Sequence, residues 1–371
     1  MDFKRLYHHH HRCRCKKQSS VRIHAFVLHE GEESKVPVSI KDIARAASVT
    51  PGTVSRALRD SPRVNPETKK RIQRLADEMG YSPDAQARSL VMGRTQMVGL
   101  VVSTLTDPFI SSVVQIIEST AHDHGYAVVL ASSDDKPERE IAAVEMLQSR
   151  RVDGVIVTSS RVGALYPERL DRLSVPVVLI NSLVQSRGQQ TFSMGVDNHH
   201  GGYLATNHLI QKGHRRIAYV ASPADRNDNA ERQRGYRDAL AEVGVDVDPS
   251  LVVQGTGHAD GGQRALPALL SLDDAPSAVF CYNDMTAIGL MYSAREAGLS
   301  VPHDLAVVGF DDIAIAQLVY PSLTTIAQPV GKLGRGAMEM VLTLLSDEDR
   351  SALSVTNVTV CGRLIVRASS G

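Results

Sequence analysis

Three polar side chains stand where strand-like apolar runs give way to other structure. Asn283 follows the run Ala278–Tyr282, and Asp311 follows Leu305–Phe310. Arg232 comes early in a helical pattern that itself follows the run Ile217–Ala221. One guanidinium, one carboxylate and one amide suit a polyhydroxyl ligand, because planar polar groups make paired hydrogen bonds to adjacent hydroxyls. A second group lies near the N-terminus, where Thr50, Thr53, Ser55 and Arg56 share the outer face of a short helical pattern. All are hydrogen-bond donors suited to phosphates or base edges. Neither group is a set for making or breaking bonds. No P-loop occurs and no Ser/His/Asp arrangement sits on a recognisable elbow, so no enzyme is expected.

The elements that must position these groups are legible in the pattern. From Met97 onward, apolar runs alternate with amphipathic segments. The runs Met97–Val102, Tyr126–Ala131, Gly154–Thr158, Val175–Ile180, Ile217–Ala221, Ala278–Tyr282 and Leu305–Phe310 read as strands. Phe109–Gly125, Pro137–Arg150, Asn198–Gly213, Ala230–Gly244 and Asp284–Gly298 read as helices between them. Uninterrupted Val/Ile/Leu strands imply parallel sheets covered on both faces. The βα units exceed one comfortable sheet, which predicts two α/β lobes. Ligands of such sheets sit beyond the C-terminal strand ends, where Asn283 and Asp311 stand.

Ahead of this body the periods change. Ser39 can cap a helix with Ile40, Ile43, Ala44 and Ala47 on one face. After Ser48-Val49, Thr50 caps a second helix with Pro51 at its first position and Val54 and Leu58 facing inward. Asn65 caps a third, Glu67–Met79, whose Ile72, Leu75, Ala76 and Met79 close a small core. Two short helices joined by a tight turn form a helix-turn-helix.

Charge divides along the same line. The 371 residues are formally neutral, with 41 Lys and Arg against 41 Asp and Glu. Residues 1–38 carry +4 and residues 39–94 carry +5, which leaves −9 on the remainder. A basic head on an acidic body points to a polyanionic partner. With 43% hydrophobic and 22% charged residues the chain is not a disordered one. No apolar run is long enough to span a membrane, and Met1–Val21 lacks the apolar stretch of a signal peptide, so a cytoplasmic location and no membrane partner are expected. Four cysteines make no disulfide framework. Cys281 and Cys361 fall in apolar surroundings and are expected in the core. His8–His11 with Cys13 and Cys15 could hold zinc or nickel, but the tract has no periodic apolar face. Residues 1–37 read instead as a disordered basic tail, translated ahead of the true start.

The run Ile43-Ala44-Arg45-Ala46-Ala47-Ser48-Val49-Thr50-Pro51-Gly52-Thr53-Val54-Ser55-Arg56-Ala57-Leu58 closely resembles the DNA-binding head of the lactose-repressor (LacI/GalR) family of bacterial transcription regulators. So do Val64-Asn65-Pro66-Glu67-Thr68, Gly80-Tyr81-Ser82-Pro83 and Ala87-Arg88-Ser89-Leu90. In the body, Thr106-Asp107-Pro108-Phe109, Asp153-Gly154-Val155-Ile156, Gly195-Val196-Asp197-Asn198, Glu231-Arg232-Gln233-Arg234-Gly235-Tyr236 and Val308-Gly309-Phe310-Asp311-Asp312 resemble the family's effector domain.

The resemblance implies an α/β protein: a two-lobed, periplasmic-binding-protein-like effector domain behind an N-terminal all-α helix-turn-helix head. The head would span 38–82, a hinge helix and linker 83–96, and the effector domain 97–371. The first lobe would take about 97–193 and 328–357, the second about 194–326 and 358–371. The second helix would lie in the major groove of a palindromic operator, with Pro51, Gly52 and Arg56 at the base-reading positions. Thr50, Thr53 and Ser55 would contact phosphates, with capping as the bland alternative. Ala87 and Leu90 would belong to the hinge helix, Leu90 as a minor-groove wedge. The effector, a small sugar or sugar-derived ligand, would meet Asp107, Phe109, Asn181, Arg232, Asn283, Asp311 and Gln328. Helix capping is the alternative for Asp107 and Asn283, and a structural ion pair for Arg232 with Asp311. The protein would be a homodimer without cofactor or metal. A purine corepressor or a phosphoprotein partner on the same fold is the first alternative. Phe109 is followed by Ile110 rather than a second aromatic residue, which counts against stacking a purine. A free solute-binding protein is the alternative from another class, and the basic head counts against it.

Overall fold

The computed structural model describes residues 38–81, 93–158, 169, 173–181, 191–223, 227–346 and 357–371. The expected hinge residues Ala87 and Leu90 and the His/Cys tract lie outside them. The chain divides into two compact units, one ending at Asp84 and one starting at Ala85.

The first unit holds three helices, α1 (Ile40–Ala46), α2 (Pro51–Leu58) and α3 (Pro66–Glu78). Each start has its own cap. Ser39 and Asp42 form a reciprocal capping box on α1. Thr50 Oγ1 accepts from Thr53 N at the start of α2, and Asn65 Oδ1 accepts from Glu67 N at α3. Ser48, at φ 52°, turns the chain between α1 and α2. Ile43, Ala44, Ala47, Val54, Ala57, Ile72 and Ala76 are buried at the centre. Leu58, Leu75 and Met79 close the edge, half-buried. Arg71 donates to Ala47 O and ties α3 to the end of α1.

The second unit is two α/β layers. In chain order it runs β1 (Met97–Val102), α4 (Pro108–Asp123), β2 (Ala127–Ser132), α5 (Pro137–Ser149), β3 (Gly154–Thr158), β4 (Val177–Ile180), β5 (Thr191–Val196), α6 (Asn198–Gln211), β6 (Ile217–Ala221) and α7 (Asn227–Glu242). It continues β7 (Val252–Gln254), α8 (Ala259–Leu270), β8 (Ala278–Cys281), α9 (Asp284–Glu296), β9 (Ala306–Asp311), β10 (Thr324–Ala327), α10 (Val330–Leu345), β11 (Asn357–Val360) and β12 (Arg363–Ile365). One sheet has the order β11-β5-β4-β3-β1-β2 and the other β12-β10-β9-β8-β6-β7. All ladders are parallel except β10 with β12. Both faces of each sheet are covered, which is why β3, β4, β6, β8 and β9 are buried along their whole length.

The chain crosses between the sheets after β5, after β10 and after β11. The lobe limits therefore differ from the sequence-based ones: β5 lies wholly in the first sheet through Val196, and β11 belongs to it through Val360. Two further differences concern single residues. The helix carrying Arg232 opens at Asn227, so Arg232 lies in its second turn rather than at its start. Cys281 is buried as expected, but Cys361 is exposed, in the connection between the edge strands β11 and β12.

Candidate functional site: an interlobe cleft and a helix-turn-helix face

Both sheets reverse strand order beside their first strand, at β1 against β3 and at β6 against β8. Ligands of open α/β sheets bind at such switch points. Residues just past these strands, Ser103 and Thr104 after β1, Ser222 after β6 and Asn283 after β8, line one cleft of about 120 Å³. All seven residues expected to meet the effector, Asp107, Phe109, Asn181, Arg232, Asn283, Asp311 and Gln328, line the same cleft.

The centre of the cleft is an Arg232–Asp311–Gln328 group. Arg232 is 2% exposed. Its Nε donates to Asn198 Oδ1 at 2.9 Å and its Nη1 to the Tyr282 carbonyl at 2.6 Å. The guanidinium lies 3.6 Å from the Phe310 ring centroid and 4.5 Å from that of Tyr282, within cation–π range of both rings. Among the described residues no ion pair joins it to Asp311, although its charge acts on that carboxyl. Gln328 Nε2 donates to Asp311 Oδ1 at 2.6 Å, which fixes the amide's orientation. Gln328 Oε1 is then a buried acceptor with no partner. Burial pushes the Asp311 carboxyl well above its ordinary value. The Arg232 charge pulls it down, while the Asp284 and Asp107 carboxylates push it up. Asp311 itself sits at φ 121°, held in that strained backbone at the end of β9.

Other expected contacts serve the scaffold as well. Asp107 Oδ1 accepts from the Phe109 and Ile110 amides and caps α4. Asn283 Oδ1 accepts from Thr286 N and its Nδ2 donates to Gly257 O, so it caps α9 and ties it to the neighbouring loop. Asn181, at φ 53°, ends β4 and accepts from Val196 N. Sequence reasoning missed Asp228, Tyr282, Asp135 and His258, which also line the cleft. Tyr282 Oη donates to Asp228 Oδ2 at 2.6 Å across 54 residues of chain, a pairing no local pattern reveals. Asp135, three residues beyond β2, was reachable by the strand-end rule.

Below the cleft, Asp284 is fully buried, accepting from Thr325 Oγ1 at 2.5 Å and from Ile313 N at 2.9 Å. Burial pushes its carboxyl up to about 7.

On the head, Thr50, Pro51, Gly52 and Arg56 are exposed, and Thr53 and Ser55 half-buried, along α2. Arg56 Nε donates to Gly52 O at 3.1 Å, which lays the guanidinium along the start of the helix. Ser55 Oγ accepts from Arg59 Nη2 at 2.7 Å, and Arg59 is a further exposed cation the sequence reading did not include. Thr50 is engaged as the α2 cap, with its hydroxyl 3.0 Å from that of Thr53.

A capped helix-turn-helix and a two-lobed α/β body with a polar cleft define a ligand-responsive DNA-binding regulator. Residues 39–84 match the bacterial regulatory proteins of the lacI family, and residues 206–370 match the periplasmic binding protein-like domain. The chain is 34% identical over 312 residues to the HTH-type transcriptional repressor PurR of Vibrio atlanticus (strain LGP32), covering 84% of this chain and 93% of that one. It is equally similar to catabolite control protein A of Priestia megaterium, and 33% identical over 313 residues to the repressor CytR of Escherichia coli (strain K12), which cover 84% of this chain and 93% and 91% of theirs. The lac repressor dimer bound to operator and an anti-inducer matches with a TM-score of 0.80 at 26% identity, over 90% of this chain and 99% of that one. The complex of the regulator CelR with cellobiose matches at 0.66 and 31%, over 90% and 100%. The chain belongs to the lacI family and is a DNA-binding transcriptional regulator with an effector-binding body. Its relatives are repressors rather than enzymes. Among the described residues no helix is long and apolar enough to cross a membrane.

Proposed function

We propose that a small sugar bound in the interlobe cleft sets the affinity with which a homodimer of this chain holds a palindromic operator and represses the adjoining gene. The observation that carries the ligand class is the Asp311–Gln328 pair: a carboxylate and an orphaned amide oxygen, both buried, call for adjacent hydroxyl donors. Arg232 supplies the complementary donor, and Phe109 a face for the apolar side of a sugar ring. Solved relatives carry cellobiose, D-xylulofuranose and ribose. On the head, α2 enters the major groove. Arg56 reads a guanine, Pro51 and Gly52 allow close approach, and Thr50, Thr53 and Ser55 hold phosphates. Ala87 and Leu90 extend the contact into the minor groove.

Thermal-shift screening of pentoses, hexoses, disaccharides and nucleobases tests the ligand class, since a ligand that binds only the folded state raises the melting temperature. A sugar that raises it and alters operator binding is the expected result. A response to purine bases alone would move the assignment to a purine corepressor.

A further inference from the structure

Resting on the sugar reading above, we infer that the cleft selects an uncharged effector and rejects its phosphorylated form. Among the described residues, four acidic side chains line it, Asp107, Asp135, Asp228 and Asp311, against one guanidinium, Arg232, and one imidazole, His258 at the exposed rim. A phosphate carries two negative charges near neutral pH and offers only acceptors. Among the described residues that line the cleft, Arg232 is the guanidinium that would answer it, and two of that side chain's donors already serve Asn198 and the Tyr282 carbonyl.

Helix N-termini are the usual resort for binding a phosphate, and three of those beside the cleft are met by the chain's own side-chain oxygens. The start of α4 is taken by the Asp107 carboxylate and that of α9 by the Asn283 amide oxygen. The first turn of α7 carries Asp228, which accepts from Asn229 N. The start of α8 has no side-chain cap, but its first turn holds the Asp260 carboxylate, bonded to Thr256 Oγ1. The starts of α4, α7 and α9 thus have their positive ends met by the chain's own oxygens, and at α8 the Asp260 carboxylate is shared with Arg264. The unpartnered Gln328 Oε1 adds the independent point. It is 6% exposed and lines the cleft, and it requires a donor. Hydroxyls satisfy the carboxylates and this amide together, and a phosphate ester repels them.

Calorimetry and thermal shift on the full chain test this with paired probes: ribose with ribose 5-phosphate, glucose with glucose 6-phosphate, cellobiose, hypoxanthine and inorganic phosphate. We expect stabilisation by at least one neutral sugar, none by inorganic phosphate beyond that of sodium chloride at equal ionic strength, and at least about tenfold weaker binding of any phosphorylated counterpart. The gap should narrow when salt rises from about 0.05 M to about 0.5 M, because the exclusion is electrostatic. It should also narrow by about threefold or more in Asp135→Asn, which removes one charge at a position, φ 53°, that asparagine tolerates. A sugar phosphate that binds as tightly as its parent sugar, or a gap that salt leaves unchanged, overturns the inference while the sugar reading stands. Silence from every sugar in both forms, or a response to hypoxanthine alone, overturns the sugar reading and the inference with it.

Discussion

Asp311 concentrates the chemistry of the cleft. Its carboxyl holds a proton more tightly than in the unfolded chain, chiefly because it is buried, with Arg232 opposing the effect and Asp284 and Asp107 adding to it. A carboxyl with a raised folded-state pKa stabilises the fold most at low pH, and that contribution falls as pH rises through the raised value. Effector hydroxyls that donate to the ionised form reverse the preference. Effector affinity should therefore rise with pH up to the raised value and level off above it, with proton release on binding, and Asp311→Asn should flatten the profile. Calorimetry in buffers of different ionisation enthalpy measures both. On the head, Arg56→Ala should lower operator affinity relative to random DNA by about 1–3 kcal/mol while salt-dependent nonspecific binding persists. Equal losses on both DNAs, read by fluorescence anisotropy, would make Arg56 a phosphate contact instead.

At the scale of elements, α6 and α7 hold Arg232 in place through glycines. A Cβ on Gly202 would lie 2.2 Å from the Arg232 carbonyl oxygen, and one on Gly235 would lie 2.1 Å from that of His199. Backbone cannot yield as a flexible side chain does, so Gly202→Ala must push the two helices apart. We expect a stability loss of about 1–3 kcal/mol in denaturant melts, together with weaker effector binding, because the displaced backbone carries Arg232. A stable variant with unchanged effector affinity would show that the close packing does not position the cleft. The buried strands were legible because Val, Ile and Leu fill them without interruption. The strands β5 (TFSMGV) and β11 (NVTV) were not, since their composition is mixed and parallel pairing over long sequence distances, not local pattern, defines them. That is why the lobe limits were displaced by a few residues. Strand-end reasoning found Asn283 and Asp311 because the end of a strand is local. Asp228 escaped because its partner, Tyr282, is distant in the chain.

At the scale of the molecule, the body has three interlobe crossings around one cleft, and its first strand is anchored at the start. Asp153 accepts from the amides of Thr95 and Gln96, immediately ahead of β1, at 2.8 Å each. Under the proposed function, a ligand gripped by side chains of both lobes is expected to bias their relative angle and so the segment anchored ahead of β1. A ligand shifts such a balance only by its differential affinity for the two states, so a coupling of about 1–3 kcal/mol is expected. Leu90→Ala should preserve effector affinity yet reduce operator binding and bending, as a gel-shift and bending assay would register. Unchanged bending would remove the minor-groove wedge from the account. The most direct test of the central claim titrates operator DNA, selected in vitro, onto the wild-type protein and Asp311→Ala, with and without the sugar found by thermal shift. The sugar should change operator affinity about 5- to 150-fold in the wild type and leave it unchanged in the variant, with ligand-free affinities within about threefold of each other. A variant that still answers the sugar at wild-type concentrations would contradict it.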